Sequence, residues 1–290
     1  MNSEAHQLRI GHVQGVYCGA CEFALVLNSG GSMAGLKRDA VHDLPTLRDY
    51  VTQAATLARD SNSPINCEES DHFGLMSLTF LSRQIDHAES VLLLVPRRDA
   101  VLIARTMLDG LYQILWAYGD PAERGFRWRA FAWIHDWRIM QKSLNSGSPI
   151  EEDRQKSIEE ALSEYGSMFL RDKAKNGEQM ADPYHWTWHC GKRLRSLAVQ
   201  VEGASSYDEV YSDMSDWEHW GVGGMGSAIS RPEDGLVTFN SSSPDSSAQA
   251  LAVAFQCLIQ TLGVVNAHFH LQKDEAIRDL QNSYMAALGI

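Results

Sequence analysis

The chain has 290 residues, with 37 acidic against 25 basic side chains and a formal net charge of −12. That balance opposes a general nucleic-acid or anionic-membrane binder but leaves room for a local basic site. A composition of 44% apolar and 21% charged residues fits a soluble globular chain and excludes wholesale disorder.

Five cysteines, Cys18, Cys21, Cys67, Cys190 and Cys257, form an odd and sparse set that suits a reducing compartment. The N-terminal residues carry no basic head followed by an apolar run, so no signal peptide is expected. The most apolar long segment, 248–265, is interrupted by Gln249, Gln256 and Gln260 and falls short of a clean membrane span. These features together predict a cytoplasmic protein without a membrane partner.

In chain order, residues 1–40 are glycine-rich and irregular and read as an N-terminal arm. Residues 41–290 read as a single helical domain. Apolar residues at 44, 47, 51, 54, 55 and 58 recur at the spacing of one helix face. After a loop at 61–64, residues 68–95 predict a long helix stopped by Pro96. The next helix starts near Asp99 and runs to about Tyr118, where Gly119-Asp120-Pro121 breaks it. Residues 122–144 predict another, closed by Asn145-Ser146-Gly147. Pro149 then precedes an acidic first turn (Glu151, Glu152, Asp153), favourable at a helix N-terminus, and that helix is expected to continue to about Lys175. Residues 178–190 are irregular and aromatic. Two shorter helices follow at 192–201 and 207–220, then a glycine-rich turn at 221–226 and a polar loop at 230–243 with a short strand near 236–239. Ser243-Pro244-Asp245 gives an N-cap, a proline at the first helical position and an acid in the first turn. A last helix extends towards Leu288 with a bend near Gly263, and its apolar face suits either the core or a second copy of the chain, as in a homodimer. Seven or eight helices with short connections and little strand predict an all-α, antiparallel helical bundle.

Two segments carry the chemistry. Arg105 and Asp109 are four apart on an otherwise apolar helix, so their side chains share one face. Such a pair is either a tie between helices or a substrate-orienting pair in a cleft. Tyr207, Tyr211, Ser215 and His219 also repeat every four residues and form one polar stripe if the helix is regular. Polar groups on a buried stripe must hydrogen-bond, so they knit helices together or wall a site. His219 is the best general acid/base candidate, because an imidazole titrates near neutrality. Ser215 as a nucleophile activated by His219 would need an orienting third group and an oxyanion hole.

Other patterns are weaker. Glu69-x2-His72 and Asp216-x2-His219 have the acid–His spacing of di-iron bundles, with Asp86, Glu89 and Asp109 as further acids. Short matches of this kind are common in an acidic chain, so no metal site is assigned. Cys18-x2-Cys21 with His185, His189 and Cys190 lacks a second matched half for zinc. The glycines at 221–226 follow a helix and not a strand, outside the context of a nucleotide fingerprint. Lys192, Arg193 and Arg195 cluster at a helix start. Beside Trp186 and Trp188 they can read as an anion or base-stacking patch, or as a solvated helix face.

The run Trp188-His189-Cys190-Gly191-Lys192, the Tyr207…Tyr211…Ser215…His219 stripe and the earlier Arg105…Asp109 helix resemble an uncharacterised bacterial family, domain of unknown function 5677, over roughly residues 70–225. That family more often has Glu where this chain has Asp109. At greater distance the plan is similar to the HEPN superfamily of helical bundles, many of which are metal-independent ribonucleases in defence and stress systems. Active members carry an Arg with four to six residues between it and the catalytic His, whereas Ser212, Asp213 and Met214 stand there in this chain. Arg129-x5-His135 has that spacing literally, inside an aromatic helix. The resemblance implies an effector acting on RNA or a nucleotide, with His219 as general acid/base and Arg105 stabilising phosphate charge. Asp109 and Ser215 complete the catalytic set, and Tyr207, Tyr211, Trp188 and Lys192 bind substrate. The competing expectations are a metal-dependent or small-molecule enzyme in the bundle and a non-catalytic interaction protein.

Overall fold

The computed structural model describes residues 44–61, 64–201, 207–211, 214–215, 229–230, 237–240 and 242–289. It is an all-α helical bundle. The α-helices are α1 (Leu44–Ser61), α2 (His72–Leu94), α3 (Ala100–Tyr118), α4 (Pro121–Asn145), α5 (Glu152–Tyr165), α6 (Asp172–Lys175), α7 (Leu194–Val201), α8 (Pro244–Phe269) and α9 (Asp274–Leu288). A 3₁₀ turn covers Gly166–Phe169, and a π turn covers Tyr207–Tyr211. The described strands are two residues each, β1 (Ile229–Ser230) and β2 (Thr238–Phe239), paired antiparallel.

Helix α8 is the axis of the bundle. It packs against α1, α2 and α3, and α9 folds back over α8 and α1. Its length and composition would allow it to cross a membrane, contrary to the sequence expectation, but most of it is buried inside the protein. Gln249, Gln256 and Gln260 occupy its one partly exposed stripe, while Leu251, Phe255, Leu258, Ile259 and Leu262 are fully enclosed. Each such side chain contributes roughly 1.5–3 kcal/mol through the apolar surface it removes from water. The apolar character of α8 is therefore used in the core, one of the two roles the sequence allowed.

Helix α1 follows its periodicity closely, burying Leu47, Val51, Ala54, Ala55 and Ala58. Asp120 caps α4 by accepting from the Glu123 N–H, with Pro121 in the first turn. Ser243 caps α8 by accepting from the Ser246 N–H (3.2 Å). Gly125 on α4 crosses α2 so closely that a Cβ there would lie 2.7 Å from the Phe73 backbone. Gln84 of α2 donates to the Met107 carbonyl (2.9 Å) across the gap that Gly110 leaves open.

The expected helix at 207–220 begins as the π turn at Tyr207–Tyr211, and three further elements depart from the sequence expectation. Helix α2 starts at His72, not Glu68, because Asp71 accepts from the Gly74 N–H (2.8 Å) and so ends the preceding loop. The helix expected up to Lys175 stops at Tyr165. Leu170 is extended there and bridges Tyr184, and a side chain at Gly166 would press on the Tyr184 hydroxyl. The last helix is broken at His270 and not bent at Gly263. His270 is left-handed (φ 54°, ψ 47°), and Asn266 accepts from the Lys273 N–H and donates to Asp274 across the break. The N-terminal arm and the glycine-rich turn at 221–226 lie outside the described residues.

Candidate functional site

Helix α3 presents Arg105, Asp109 and Tyr112 at i, i+4 and i+7, on one face. Opposite them stands the Tyr207–Tyr211 turn, whose rings stack with centroids 4.5 Å apart and planes 15° from parallel. Its hydrogen bonds run i to i+5, wider than in an α-helix, and the four-residue spacing still superposes the two rings. Arg105 donates from Nη2 to the Tyr211 hydroxyl, and its guanidinium carbon lies 4.6 Å from the centroid of the same ring. The Tyr211 hydroxyl also hydrogen-bonds the Asp109 carboxylate. Since a carboxylate only accepts, the phenol is acceptor to Arg105 and donor to Asp109. Tyr207 lies 6.1 Å, ring to ring, from the fully buried Tyr112.

The electrostatics fix what these groups can do. Burial pushes the Tyr211 phenol far above its ordinary value, and the negative charge and hydrogen bond of Asp109 add to the rise despite Arg105. Tyr207 shifts up by burial and by Asp109 as well. Both tyrosines therefore stay neutral at working pH and serve as hydrogen-bonding and stacking groups, not as bases. On the outer side, Arg195 of α7 holds Asp208 with two parallel hydrogen bonds of 2.7 Å, fastening the turn to the bundle.

The remaining predicted residues are distributed along and around α3. Ser215 is partly buried and follows the fully buried Met214. Trp188 is buried against Trp116, and its indole N–H donates to Gln113 (2.8 Å), one turn beyond Asp109. Lys192 is exposed, with its ammonium 6.0 Å from the Trp116 ring centroid, about 16 Å along α3 from Arg105. The structure thus brings Arg105, Asp109, Tyr207 and Tyr211 into one cluster, and sets Trp188 and Lys192 beside the later turns of the same helix. His219 lies outside the described residues, as does Asp216. Tyr112 was missed in the sequence, although its i+7 spacing from Arg105 signals it.

Among the described residues no three His, Cys, Asp or Glu side chains converge as metal ligands would. Glu69 and His72 are both turned to Arg129, which donates to the Glu69 carboxylate (2.9 Å) and to His72 Nδ1 (3.2 Å). Arg129 and His135, six apart on α4, project about 120° from each other and do not share a face. Cys190 is a free thiol that donates to the Met168 carbonyl (3.3 Å) beside Arg127. Burial pushes its thiol up, as it pushes the His185 and His189 imidazoles down. Cys18 and Cys21 lie outside the described residues. Compared with known protein families, curated proteins and solved structures, the chain matches none.

Proposed function

We propose that the chain is a HEPN-like helical effector that acts on RNA or a nucleotide where α3 meets the Tyr207–Tyr211 turn, in the setting of bacterial defence or stress. The observation that supports this reading most is the Arg105–Tyr211–Asp109 network, which joins two segments 106 residues apart around one guanidinium. Arg105 stabilises charge on the phosphate. Asp109 and Tyr211 fix the direction of the guanidinium, and Tyr207 and Ser215 position the substrate. His219 continues the four-residue stripe of Tyr207, Tyr211 and Ser215 and moves the proton, a role for which neutral tyrosines are unsuited.

The test is degradation of a labelled single-stranded RNA by the purified chain. His219→Ala should lower the rate by about 10²–10⁴-fold, the usual worth of a general acid/base. Degradation at the wild-type rate in His219→Ala removes this mechanism. A non-catalytic reading has its own support: the Arg195–Asp208 fork and the two bonds of the Tyr211 hydroxyl would serve equally as a tie between α3, α7 and the turn. Intact folding with no turnover in any variant favours it.

A further inference from the structure

Between the C-terminal half of α4 and residues 181–182 lies an open cleft of about 430 Å³, lined by Trp137, Arg138, Gln141, Lys142 and Asp182 among others. That size falls among small-ligand clefts, which run from about 300 to 1,000 Å³. Beside it stands Trp186, with 68% of its surface open to solvent, whereas the other described tryptophans are buried or half-buried. Leaving an indole in water forgoes the large apolar burial this side chain usually provides.

The exposure is not a consequence of looseness. The backbone around Trp186 is pinned from three elements. The His185 N–H donates to the Phe169 carbonyl (2.8 Å), and the Arg171 N–H donates to that of Pro183 (2.9 Å). Arg171 Nε donates to the Tyr184 carbonyl (2.7 Å), and Arg138 Nη2 to that of His185 (2.8 Å). The same two guanidiniums lie over the indole, with carbon-to-centroid distances of 4.4 Å for Arg138 and 5.5 Å for Arg171. Asp182 orients both, accepting from Arg138 Nε at 3.0 Å and lying 4.0 Å from Arg171. Lys142, one turn beyond Arg138, adds a second cation to the cleft wall.

We infer that Trp186 and this cleft form a docking site for single-stranded nucleic acid, in which one unpaired base stacks on the Trp186 indole and the adjoining phosphates lie along Arg138 and Lys142. A held aromatic face beside cations is what an unpaired strand needs: every base has a π-face, and the backbone is anionic. A duplex, whose bases are already stacked, cannot use the indole. The local cations also reconcile the site with the acidic chain as a whole, because screening confines the repulsion from distant carboxylates to roughly 8 Å at physiological salt. The inference shares only its ligand class with the function proposed for the α3 site and needs neither His219 nor Arg105.

The test is binding of a short fluorescein-labelled oligouridine to the full chain, followed by anisotropy. Wild type should bind saturably, and Trp186→Ala should weaken binding by about tenfold or more, with Trp186→Phe retaining most of it. Lys142→Gln should reduce the steepness of the salt dependence by about one in log–log slope. Trp186→Ala should weaken binding by the same factor in the wild-type and Arg105→Ala backgrounds, whereas loss of RNA turnover should follow Arg105→Ala, which separates failure of this site from failure of the α3 site. Equal affinity of wild type and Trp186→Ala, equal affinity for the matching duplex, or absence of saturable binding each overturns the inference.

Discussion

Arg105 and Tyr211 hold each other twice: the guanidinium donates to the phenol oxygen and also lies over the ring that carries it. Asp109 accepts a hydrogen bond from that phenol, so one hydroxyl mediates between a cation and an anion on the same helix. The arrangement predicts strong coupling. Tyr211→Phe should cost about 1–3 kcal/mol of unfolding free energy. A double-mutant cycle with Arg105→Ala should give an interaction energy of about 0.5–3 kcal/mol by denaturant titration. Additivity to within about 0.3 kcal/mol would show that the two side chains are neighbours without a working contact.

Two glycines should respond to alanine with opposite sign. Gly263 in α8 has no described atom within 4 Å of a built Cβ, so Gly263→Ala should stabilise by roughly 0.5–1 kcal/mol through helix propensity. Gly125 in α4 would place its Cβ 2.7 Å from the Phe73 backbone, which cannot swing aside as a side chain can. Gly125→Ala should therefore destabilise by about 1–3 kcal/mol in spite of the same propensity gain. Urea midpoints of the two variants, read against wild type, decide both.

Tyr284 is fully buried, stacked on Phe255 with centroids 4.0 Å apart, and its hydroxyl has no hydrogen-bond partner among the described residues. Burial alone pushes its phenol strongly up. Removing an unsatisfied buried hydroxyl relieves its desolvation, so Tyr284→Phe should stabilise, by about 1 kcal/mol. A variant less stable than wild type in thermal melts would reveal a partner for that oxygen.

Asp71 gives the pH dependence. Burial raises its carboxyl, but hydrogen bonds from His268 and from the Gly74 N–H, with the charges of His268 and His72, outweigh it and hold the group below its ordinary value. Its Oδ2 lies 2.7 Å from His268 Nε2, tying the start of α2 to the end of α8. A depressed carboxyl stabilises the fold fully above its unfolded value, near pH 4, and loses that contribution as pH falls through the lower folded value. Asp71→Asn should accordingly melt below wild type at neutral pH, and the gap should close as the pH drops beneath about 4. A gap that stays constant from neutral to acid pH would assign the effect to helix capping alone.

Much of this was legible in the sequence, for local reasons. Helix α1 follows its apolar period, and α4 and α8 begin at an acid or serine followed by proline, because those signals act within one turn. The breaks at Leu170 and His270 were not legible. The first depends on a bridge to Tyr184 and the second on the Asn266 side chain, both tertiary or loop-specific events that periodicity does not encode. Within the site, the i, i+4 rule placed Arg105 beside Asp109 and Tyr207 over Tyr211. That the two pairs meet across 106 residues of chain is a property of packing. Trp188 and Lys192 share a short motif, yet one is core and the other surface, because Trp188 finds Gln113 for its N–H.

The position of α8 has a consequence for biosynthesis. Helices α1, α2 and α3 leave the ribosome well before α8, which fills the groove among them. Until residues 244–269 follow, those three lack the leucine, valine and phenylalanine contacts that α8 makes with them, and no earlier element among the described residues supplies those contacts. Closure of the core is thereby a late, long-range event, and nascent chains ending before Pro244 are the natural clients of chaperones that recognise exposed apolar surface.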